Sequence, residues 1–354
     1  MKPIRVLVVD DSALMRQMIS DILQSDPDIR VIATARNGKD ALDVLSQQQV
    51  DIVTLDIEMP VLGGLETLPE ILRSYRLPVI MLSSLTAAGA DTTIRALELG
   101  AFDFIAKPSG SISLDLAKVR DELIRKVKTA AYRKQAFDPG RKLSSLPGKV
   151  RQQKKDLVPA ASGNIKAVVA IGTSTGGPRA LQSVLTGLPA DLDAAVVVVQ
   201  HMPPGFTKSL ANRLDQICEL RVHEAAHGQE LEPGHVYIAP GDYHMRVENS
   251  GKRLVVQLDQ TPPLGGHRPA VDRLFRSVAA LQGVALQAVI LTGMGNDGAE
   301  GLKLIKQAGG RTISEAKETC VVYGMPKTAA ETGCVDAVVP LHQVAAQILS
   351  FLHQ

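Results

Sequence analysis

The sequence of 354 residues contains no tryptophan, and only 3% of its residues are aromatic. Cores built around large aromatic side chains are therefore excluded, and we expect aliphatic cores, which suit parallel sheets rich in Val and Ile. Cysteine is also scarce, because Cys218, Cys320 and Cys334 are odd in number and show no C-x-x-C spacing. We expect them to be reduced, structural thiols in a cytoplasmic protein.

Long apolar runs and a strong net charge are missing as well. No apolar run reaches the roughly 18 residues that a membrane-spanning helix needs, and the amino terminus enters a short strand without a signal peptide. The formal net charge is +2, so nothing global indicates nucleic acid or an acidic partner. We therefore predict neither membrane insertion nor nucleic-acid binding. The length allows two domains, each with its own core.

Five apolar segments alternate with helical patterns in residues 1–125. This alternation predicts an α/β domain with a doubly wound parallel sheet of the (βα)5 type. The carboxyl ends of such strands meet at one edge of the sheet, so the polar residues that follow the strands share a pocket. These residues are Asp10, Asp11, Asp56, Ser83 and Lys107.

The charges in this pocket indicate its chemistry. Three carboxylates repel each other unless a cation neutralises them, and Mg²⁺ is the cation that prefers oxygen ligands. A carboxylate in such a site can attack phosphorus while Mg²⁺ and Lys107 balance the phosphoryl charge. A single aspartate at a strand end can instead be a helix cap. The five residues together are better explained by one shared site.

This domain resembles the receiver domain of two-component response regulators over residues 1–125. The resemblance implies that Asp56 is phosphorylated by a partner histidine kinase in a reaction that depends on Mg²⁺. The metal ligands that it implies are Asp10, Asp11, Asp56 and the backbone carbonyl of Glu58. The switch residues that it implies are Ser83, Phe104 and Lys107.

A basic segment connects the two predicted domains. Between Lys118 and Lys155 the chain has 13 Lys or Arg residues against 3 Asp or Glu residues. We predict a basic, flexible linker over residues 126–162, preceded by a helix that closes the first domain. A basic run can also contact nucleic acid or an anionic membrane. The lack of interleaved aromatic residues favours a solvated tether.

The second domain begins with a buried strand that turns sharply into a helix near Pro178. The turn carries the pattern G-T-S-T-G over residues 172–176, with Ser174 at its centre. In a strand-to-helix turn of this kind a serine hydroxyl is exposed at the end of the sheet, and the amide of Thr175 lies beside it as an oxyanion donor. A glycine-rich phosphate loop or a plain tight turn would give a similar pattern.

Two later strands supply partners for this serine. His201 follows an apolar strand, and Asp297 lies on a glycine-punctuated turn after another strand. A serine, a histidine and an aspartate at the carboxyl ends of parallel strands make a catalytic triad possible. The residues alone leave two alternatives open, His267 as the base and Asp272 as the acid.

Two competing motifs in this half are weaker. Residues 223–227 read H-E-x-x-H, but a zinc site needs both histidines on one helix face, and the preceding residues look like a strand. The glycines of residues 172–177 could bind a dinucleotide, but the next strand ends in Gln200-His201, where a ribose-binding acid is expected. We predict neither site.

The second half is similar to the chemotaxis protein-glutamate methylesterase family. The similarity is carried by IGTSTGGP (171–178), QHMP (200–203), YIAPG (237–241), HRP (267–269), GMGNDG (293–298) and VVYGMP (321–326). It implies a Rossmann-like, doubly wound hydrolase domain over residues 163–354 that uses no cofactor. The catalytic residues that it implies are Ser174, His201 and Asp297, with Thr175 and Met294 near the oxyanion.

The family resemblance implies a function for the whole chain. A phosphorylation-regulated serine esterase would hydrolyse glutamyl methyl esters on chemoreceptors, release methanol and also deamidate receptor glutamines. We expect the unphosphorylated receiver domain to restrain the esterase. The rival interpretation is a phosphorylation-dependent binding or transcription regulator. A DNA-binding effector would be a small helical module, which the α/β pattern of the second half argues against.

Overall fold

We describe the protein from a computed structural model, which describes residues 2–107, 113–132 and 165–353. The chain divides into two compact units, Met1–Lys142 and Leu143–Gln354. The predicted linker over residues 126–162 falls almost entirely outside the described residues. Its first part, residues 126–132, is helical, because Val127 and Ala130 are buried and anchor the segment to the first unit.

The first unit is a five-stranded sheet in which every pairing is parallel. Its strand order is β2-β1-β3-β4-β5. The strands are β1 (Ile4–Val9), β2 (Ile29–Ala35), β3 (Ile52–Asp56), β4 (Val79–Ser83) and β5 (Asp103–Ala106). The helices are α1 (Ala13–Gln24), α2 (Gly38–Gln47), α3 (Gly64–Glu70), α4 (Ala87–Leu99) and α5 (Ser113–Tyr132). A π-helical segment, Ile71–Tyr75, continues α3.

Capping side chains explain where three of these helices begin. The Ser12 hydroxyl accepts from the Met15 amide before α1. Asn37 caps α2 in the same way, and Thr86 caps α4 by accepting from the Gly89 amide. Each cap gives a partner to an amide that the first helical turn leaves unpaired.

The second unit is built on a seven-stranded sheet, again with parallel pairings throughout. Its order is β14-β13-β12-β6-β7-β9-β8. The strands are β6 (Ala167–Thr173), β7 (Ala194–Gln200), β8 (Arg221–Glu224), β9 (His235–Ile238), β12 (Ala285–Ile290), β13 (Arg311–Glu315) and β14 (Ala337–Val339). A separate antiparallel hairpin pairs β10 (His244–Ser250) with β11 (Arg253–Asp259). The helices are α6 (Gly177–Leu185), α7 (Phe206–Ile217), α8 (Val271–Ala279), α9 (Ala299–Gln307), α10 (Met325–Glu331) and α11 (Leu341–Leu352).

The topology of this sheet fixes where a site can form. Strand β6 lies between β7 and β12, and every residue of β6 and β7 is buried. The chain moves outward in one direction after β6 and returns to its other side with β12, so β6 is the switch point of the sheet. Ligand sites of open α/β sheets lie outside the carboxyl ends of the strands at this point. Both doubly wound parallel sheets predicted from the sequence are confirmed.

No helix in the described part of the chain is long and apolar enough to cross a bilayer.

For two fully buried threonines of the first unit, we predict that substitution by valine changes the free energy of unfolding in opposite directions. The Thr54 hydroxyl on β3 has no hydrogen-bond partner among the described residues, whereas the Thr93 hydroxyl on α4 donates to Ser83 Oγ at 2.6 Å and Gly89 O at 2.7 Å. Replacing an unpaired hydroxyl with a methyl group removes a desolvation penalty, and removing a paired one leaves a partner unsatisfied. We expect Thr54→Val to raise the free energy of unfolding by about 1 kcal/mol and Thr93→Val to lower it by about 1 kcal/mol.

Amide hydrogen exchange of β3 and α4 peptides in the full-length protein under native conditions measures both effects. Shifts of the same sign for the two variants would contradict the prediction.

Candidate active site and phosphorylation site

The serine of the predicted nucleophile turn directly follows β6. The Ser174 amide donates to the carbonyl of Thr292 at 3.0 Å, and Gln200 Nε2 donates to the Ser174 carbonyl at 3.0 Å. A Cβ atom on Gly177 would lie 1.8 Å from Gln200 Oε1 and 2.6 Å from Thr173 Oγ1, so a larger residue where the turn enters α6 would displace these side chains. The turn is therefore held from two neighbouring strands, and its serine side chain is partly exposed.

His201 directly follows β7, the strand paired with β6. The register aligns Thr173 with Gln200, and the His201 amide donates to the Thr173 carbonyl at 3.2 Å. Ser174 and His201 are the first residues after these two paired strand ends, so they lie at the same level of the sheet. The register therefore brings the predicted nucleophile and the predicted base to the same edge of the sheet.

Asp297 lies on the turn between β12 and α9, where its side chain contacts His201. Its Oδ2 atom lies 2.8 Å from His201 Nε2 and accepts from the Val271 amide at 2.7 Å, and its Oδ1 atom accepts from the Asp272 amide at 2.8 Å. Burial raises the pKa of Asp297, but the hydrogen bonds from His201 and these amides outweigh it and hold the pKa below its usual value. The carboxylate is ionised and can only accept, so Nε2 of His201 carries a proton.

The other imidazole nitrogen has a different environment. His201 Nδ1 is buried and has no hydrogen-bond partner in the described ranges. The ring of His267 stacks on the ring of His201, with centroids 3.9 Å apart and planes 5° apart. Asp272, the alternative acid, accepts from the Gly301 amide at 2.6 Å. The structure thus pairs His201 with Asp297 and leaves Nδ1 as the nitrogen with a free lone pair.

The residues predicted near the oxyanion lie on both sides of Ser174. Thr175 is the next residue and is buried, and Met294 is 9% exposed. A Cβ atom on Gly293 would lie 2.9 Å from Ser174 Cβ, which shows how closely the chain before Met294 passes the serine. Both segments therefore border the serine side chain.

Thr292 is a site residue that the sequence analysis missed. Its carbonyl accepts from the Ser174 amide, and its hydroxyl donates to the Thr175 carbonyl at 2.9 Å and accepts from the Val322 amide at 2.9 Å. It therefore connects the serine turn to the segment after β13. The only signal in the sequence is a polar residue at the end of an apolar strand.

The first unit brings together the five residues predicted at its strand ends. Lys107 Nζ lies 2.8 Å from Asp10 Oδ2 and 2.8 Å from Asp56 Oδ2. Carboxylate oxygens of Asp10, Asp11 and Asp56 all lie within 4.8 Å of one another, and this is the one such acidic cluster in the described part of the chain. A set of oxygen donors with two buried carboxylates and one lysine fits a hard divalent cation.

Two of these carboxylates, those of Asp11 and Asp56, border a cavity of about 220 Å³. Its walls include Asp11, Asp56, Glu58, Ser83 and Lys107. Burial raises the pKa of Asp56 to about 6, although Lys107 lowers it in part. Burial also lowers the pKa of Lys107, but its two aspartate partners outweigh this and raise it above its usual value. The cavity therefore offers a carboxylate, a lysine and a hydroxyl to a small anionic group.

Two of the three predicted switch residues, Ser83 and Phe104, are buried. The Ser83 hydroxyl accepts from Thr93 Oγ1 and contacts backbone carbonyls at 3.2 Å, including that of Gly89 on α4. The ring of Phe104 lies under Lys126 Nζ, which is 5.4 Å from the ring centroid. The Ser83 side chain thus bonds to α4 in this structure.

The H-E-x-x-H residues do not form a zinc site. His223 and Glu224 lie on β8, and His227 lies in a turn where its Nδ1 accepts from the Leu258 amide at 3.2 Å. His223 Nε2 instead lies 3.2 Å from His235 Nδ1 on the neighbouring strand β9. The two histidines of the motif therefore do not share a helix face, as a zinc site of this type requires.

Comparison with known proteins gives a consistent result for both halves of the chain. A family model described as CheB methylesterase matches residues 169–348, and one described as response regulator receiver domain matches residues 6–117. A protein-glutamate methylesterase/protein-glutamine glutaminase of Geobacillus kaustophilus is 52% identical over 353 residues, which are 99% of each chain. A protein of the same name from Pyrococcus abyssi is 45% identical over 348 residues, covering 98% of this chain and 93% of the other.

A solved structure also resembles the second half. The crystal structure of the Thermotoga maritima CheB methylesterase catalytic domain matches with a TM-score of 0.51 and 48% identity. The match covers 52% of this chain and 97% of that domain.

The contacts of Thr292 predict a large effect from a small substitution. Thr292→Val keeps the shape of the side chain but leaves the Val322 amide and the Thr175 carbonyl without this partner in a buried region. We expect the free energy of unfolding of the second unit to fall by about 2 kcal/mol. Thr186→Val, at an exposed helix end, serves as the control and should change it by less than about 0.5 kcal/mol.

Both changes in the free energy of unfolding are measured by unfolding the full-length variants in urea and monitoring the transition through hydrogen exchange of β12 peptides. Equal stability of the Thr292 variant and its parent would contradict the role of this hydroxyl.

Proposed function

Because the chain belongs to the CheB methylesterase family and carries a response regulator receiver domain, we propose that Ser174, His201 and Asp297 hydrolyse glutamyl methyl esters on chemoreceptors. The chain is a phosphorylation-regulated protein-glutamate methylesterase and protein-glutamine glutaminase. One observation supports the assignment of the residues most strongly. His201 and Asp297 form a 2.8 Å hydrogen bond at the strand end next to Ser174, with Nδ1 of His201 left unpaired.

The acylation step uses this free nitrogen. Ser174 Oγ attacks the ester carbonyl carbon, and Nδ1 of His201 takes the hydroxyl proton. The amides of Thr175 and Met294 stabilise the negative charge that develops on the carbonyl oxygen. The bond from the carbonyl carbon to the methoxy oxygen then breaks, and methanol leaves with the proton from His201.

Deacylation repeats these steps with water. Nδ1 of His201 takes a proton from water, the hydroxide attacks the acyl carbon, and Ser174 leaves with that proton. The product is a glutamate side chain. A receptor glutamine follows the same path with ammonia as the leaving group.

Asp297 supports both steps without contacting the substrate. Two amides at the start of α8 fix its carboxylate, and the carboxylate fixes the imidazole through Nε2. This bond holds the tautomer in which Nδ1 is the base, and it stabilises the imidazolium ion that forms after proton transfer.

Loss of the nucleophile is the direct test of this mechanism. We expect Ser174→Ala to reduce methanol release from methylated receptor membranes by about 10³-fold or more, because the acyl-enzyme cannot form. Ser183→Ala, on the helix that follows the serine turn, is the matched control and should keep parental turnover. Near-parental methanol release by the Ser174 variant would show that the triad is assigned wrongly.

In the receiver domain, we propose that Asp56 accepts a phosphoryl group from a chemotaxis histidine kinase. Asp10, Asp11, Asp56 and the backbone carbonyl of Glu58 would hold Mg²⁺, which neutralises the carboxylates and phosphoryl oxygens when it is bound. Lys107 would move from its carboxylate partners to a phosphoryl oxygen. Ser83 would turn from α4 toward the phosphoryl group, and Phe104 would respond to that shift.

Regulation through Asp56 gives a second test. A small-molecule phosphodonor with Mg²⁺ should raise the esterase activity of the parent about tenfold, which needs only about 1.4 kcal/mol of differential stabilisation. Asp56→Asn should stay at the basal rate, since its amide cannot accept the phosphoryl group. Asp21→Asn, on the exposed side of α1, should keep the response.

Two further conditions complete this experiment. Chelation of Mg²⁺ should abolish the response of the parent. A chain lacking residues 1–150 should have a higher basal esterase activity than the unphosphorylated parent, and the phosphodonor should not change it. Stimulation of the Asp56 variant would contradict the assignment of the phosphorylation site.

A further inference from the structure

Glu315 is a fully buried acid that the reaction described above does not use. It is the last residue of β13, and its exposed fraction is 0%. Its Oε2 atom accepts from the Thr292 amide at 2.8 Å, and its Oε1 atom has no hydrogen-bond partner among the described residues. Burial of a carboxyl group costs free energy unless hydrogen bonds compensate for the lost water, and here one of its two oxygens is hydrogen-bonded.

Glu315 accepts from the Thr292 amide, which has no partner in the strand pairings of the sheet. The pairing of β12 with β13 ends at Ile290 and Ser314, and that of β12 with β6 ends at Gly172. The Leu291 amide still donates to the Gly172 carbonyl at 2.9 Å, but the next amide, that of Thr292, points toward β13. The side chain of Glu315 takes the place of the strand carbonyl that is missing there.

The other side of the same residue holds the nucleophile. The Thr292 carbonyl accepts from the Ser174 amide at 3.0 Å and from Thr173 Oγ1 at 2.9 Å. Glu315 and Ser174 are therefore connected by two hydrogen bonds, both made by the backbone of Thr292. A shift of Thr292 would move both the serine turn and the neighbouring segment that includes Gly293 and Met294.

The environment of Glu315 shifts its protonation balance toward the neutral form. Its pKa is raised to about 7, mainly by burial and in smaller part by the negative charge of Glu318, against the opposing effect of the Thr292 amide and the side chains of Thr319 and Cys320. A neutral acid accepts from an amide through its carbonyl oxygen just as a glutamine side chain does. Glutamine is therefore the conservative replacement at this position.

We propose that Glu315 is a positioning residue for the reaction, which holds Thr292 and through it places Ser174 for attack. This inference rests on the proposed function, because it assigns Ser174 as the nucleophile. The side chain acts through its hydrogen bond to the Thr292 amide and does not contact the substrate.

The test compares three full-length variants on methylated receptor membranes. Glu315→Gln keeps the acceptor and should retain kcat within twofold of the parent. Glu315→Leu keeps the volume but removes the acceptor, and it should lower kcat about 10- to 100-fold with KM within twofold. Glu331→Gln, at the exposed end of α10, is the control and should leave both constants within twofold.

A second readout isolates the serine from substrate binding. The rate at which a fluorophosphonate probe labels Ser174 should fall in the Leu variant by the same factor as kcat and recover in the Gln variant. A Leu variant with parental kcat and labelling would overturn the proposal. So would a Gln variant as impaired as the Leu variant, since the acceptor would then not be the property that matters.

The design also covers two complications. If the Leu variant does not fold, as judged by circular dichroism, Glu315→Met replaces it with the same expectations. If Ser174→Ala keeps its activity, the proposed function fails. An inactive Ser174 variant together with an unaffected Leu variant shows that only the role of Glu315 is wrong.

Discussion

The parallel pairing of β6 with β7 on one side and β12 on the other is the constraint on which the second unit depends. Its register aligns Thr173 with Gln200 and Gly172 with Ile290, so the chains leave all three strands at nearly the same level. Ser174 and His201 are simply the next residues. A shift of one residue in the pairing of β6 with β7 would move Ser174 and His201 apart along the strands. The register of these buried strands therefore sets the geometry of the site.

The direction of the imidazole follows from the position of the acid. In chymotrypsin-like enzymes Nε2 of the histidine faces the serine and Nδ1 faces the aspartate. Here Nε2 faces Asp297, and Nδ1 is the unpaired nitrogen. Two amides at the start of α8 hold the carboxylate of Asp297 independently of the histidine. The stacked ring of His267 limits rotation of the His201 imidazole. The second histidine therefore supports the first from its face.

The strand-end rule explains how much of this could be predicted. Buried strands followed by Asp56, Ser174 or His201 are visible as apolar runs that end in a polar residue, and parallel topology then brings them together. The choice between Asp297 and Asp272 was not visible, because both precede or begin helices and only the fold decides which one meets His201. The predicted roles of these residues remain predictions until the variants are measured.

Other contributors were hidden for a different reason. Thr292 and Glu315 are buried polar residues at the ends of strand patterns, and their partners include main-chain atoms far away in sequence. Periodicity assigns such positions to the core, and nothing local shows that a strand pairing ends beside them. The start of the predicted linker was affected similarly, since Val127 and Ala130 are buried only because the sheet lies beside α5.

The proposed mechanism requires Nδ1 of His201 to be the base. Nitrogen-15 NMR of the full-length protein, labelled in histidine and assigned with a His201→Gln variant, reports the protonation of each ring nitrogen directly. The mechanism predicts a ring with a proton on Nε2, in a strong hydrogen bond to Asp297, and an unprotonated Nδ1. A ring with its only proton on Nδ1 would contradict the mechanism, because that nitrogen could not then accept the proton of Ser174.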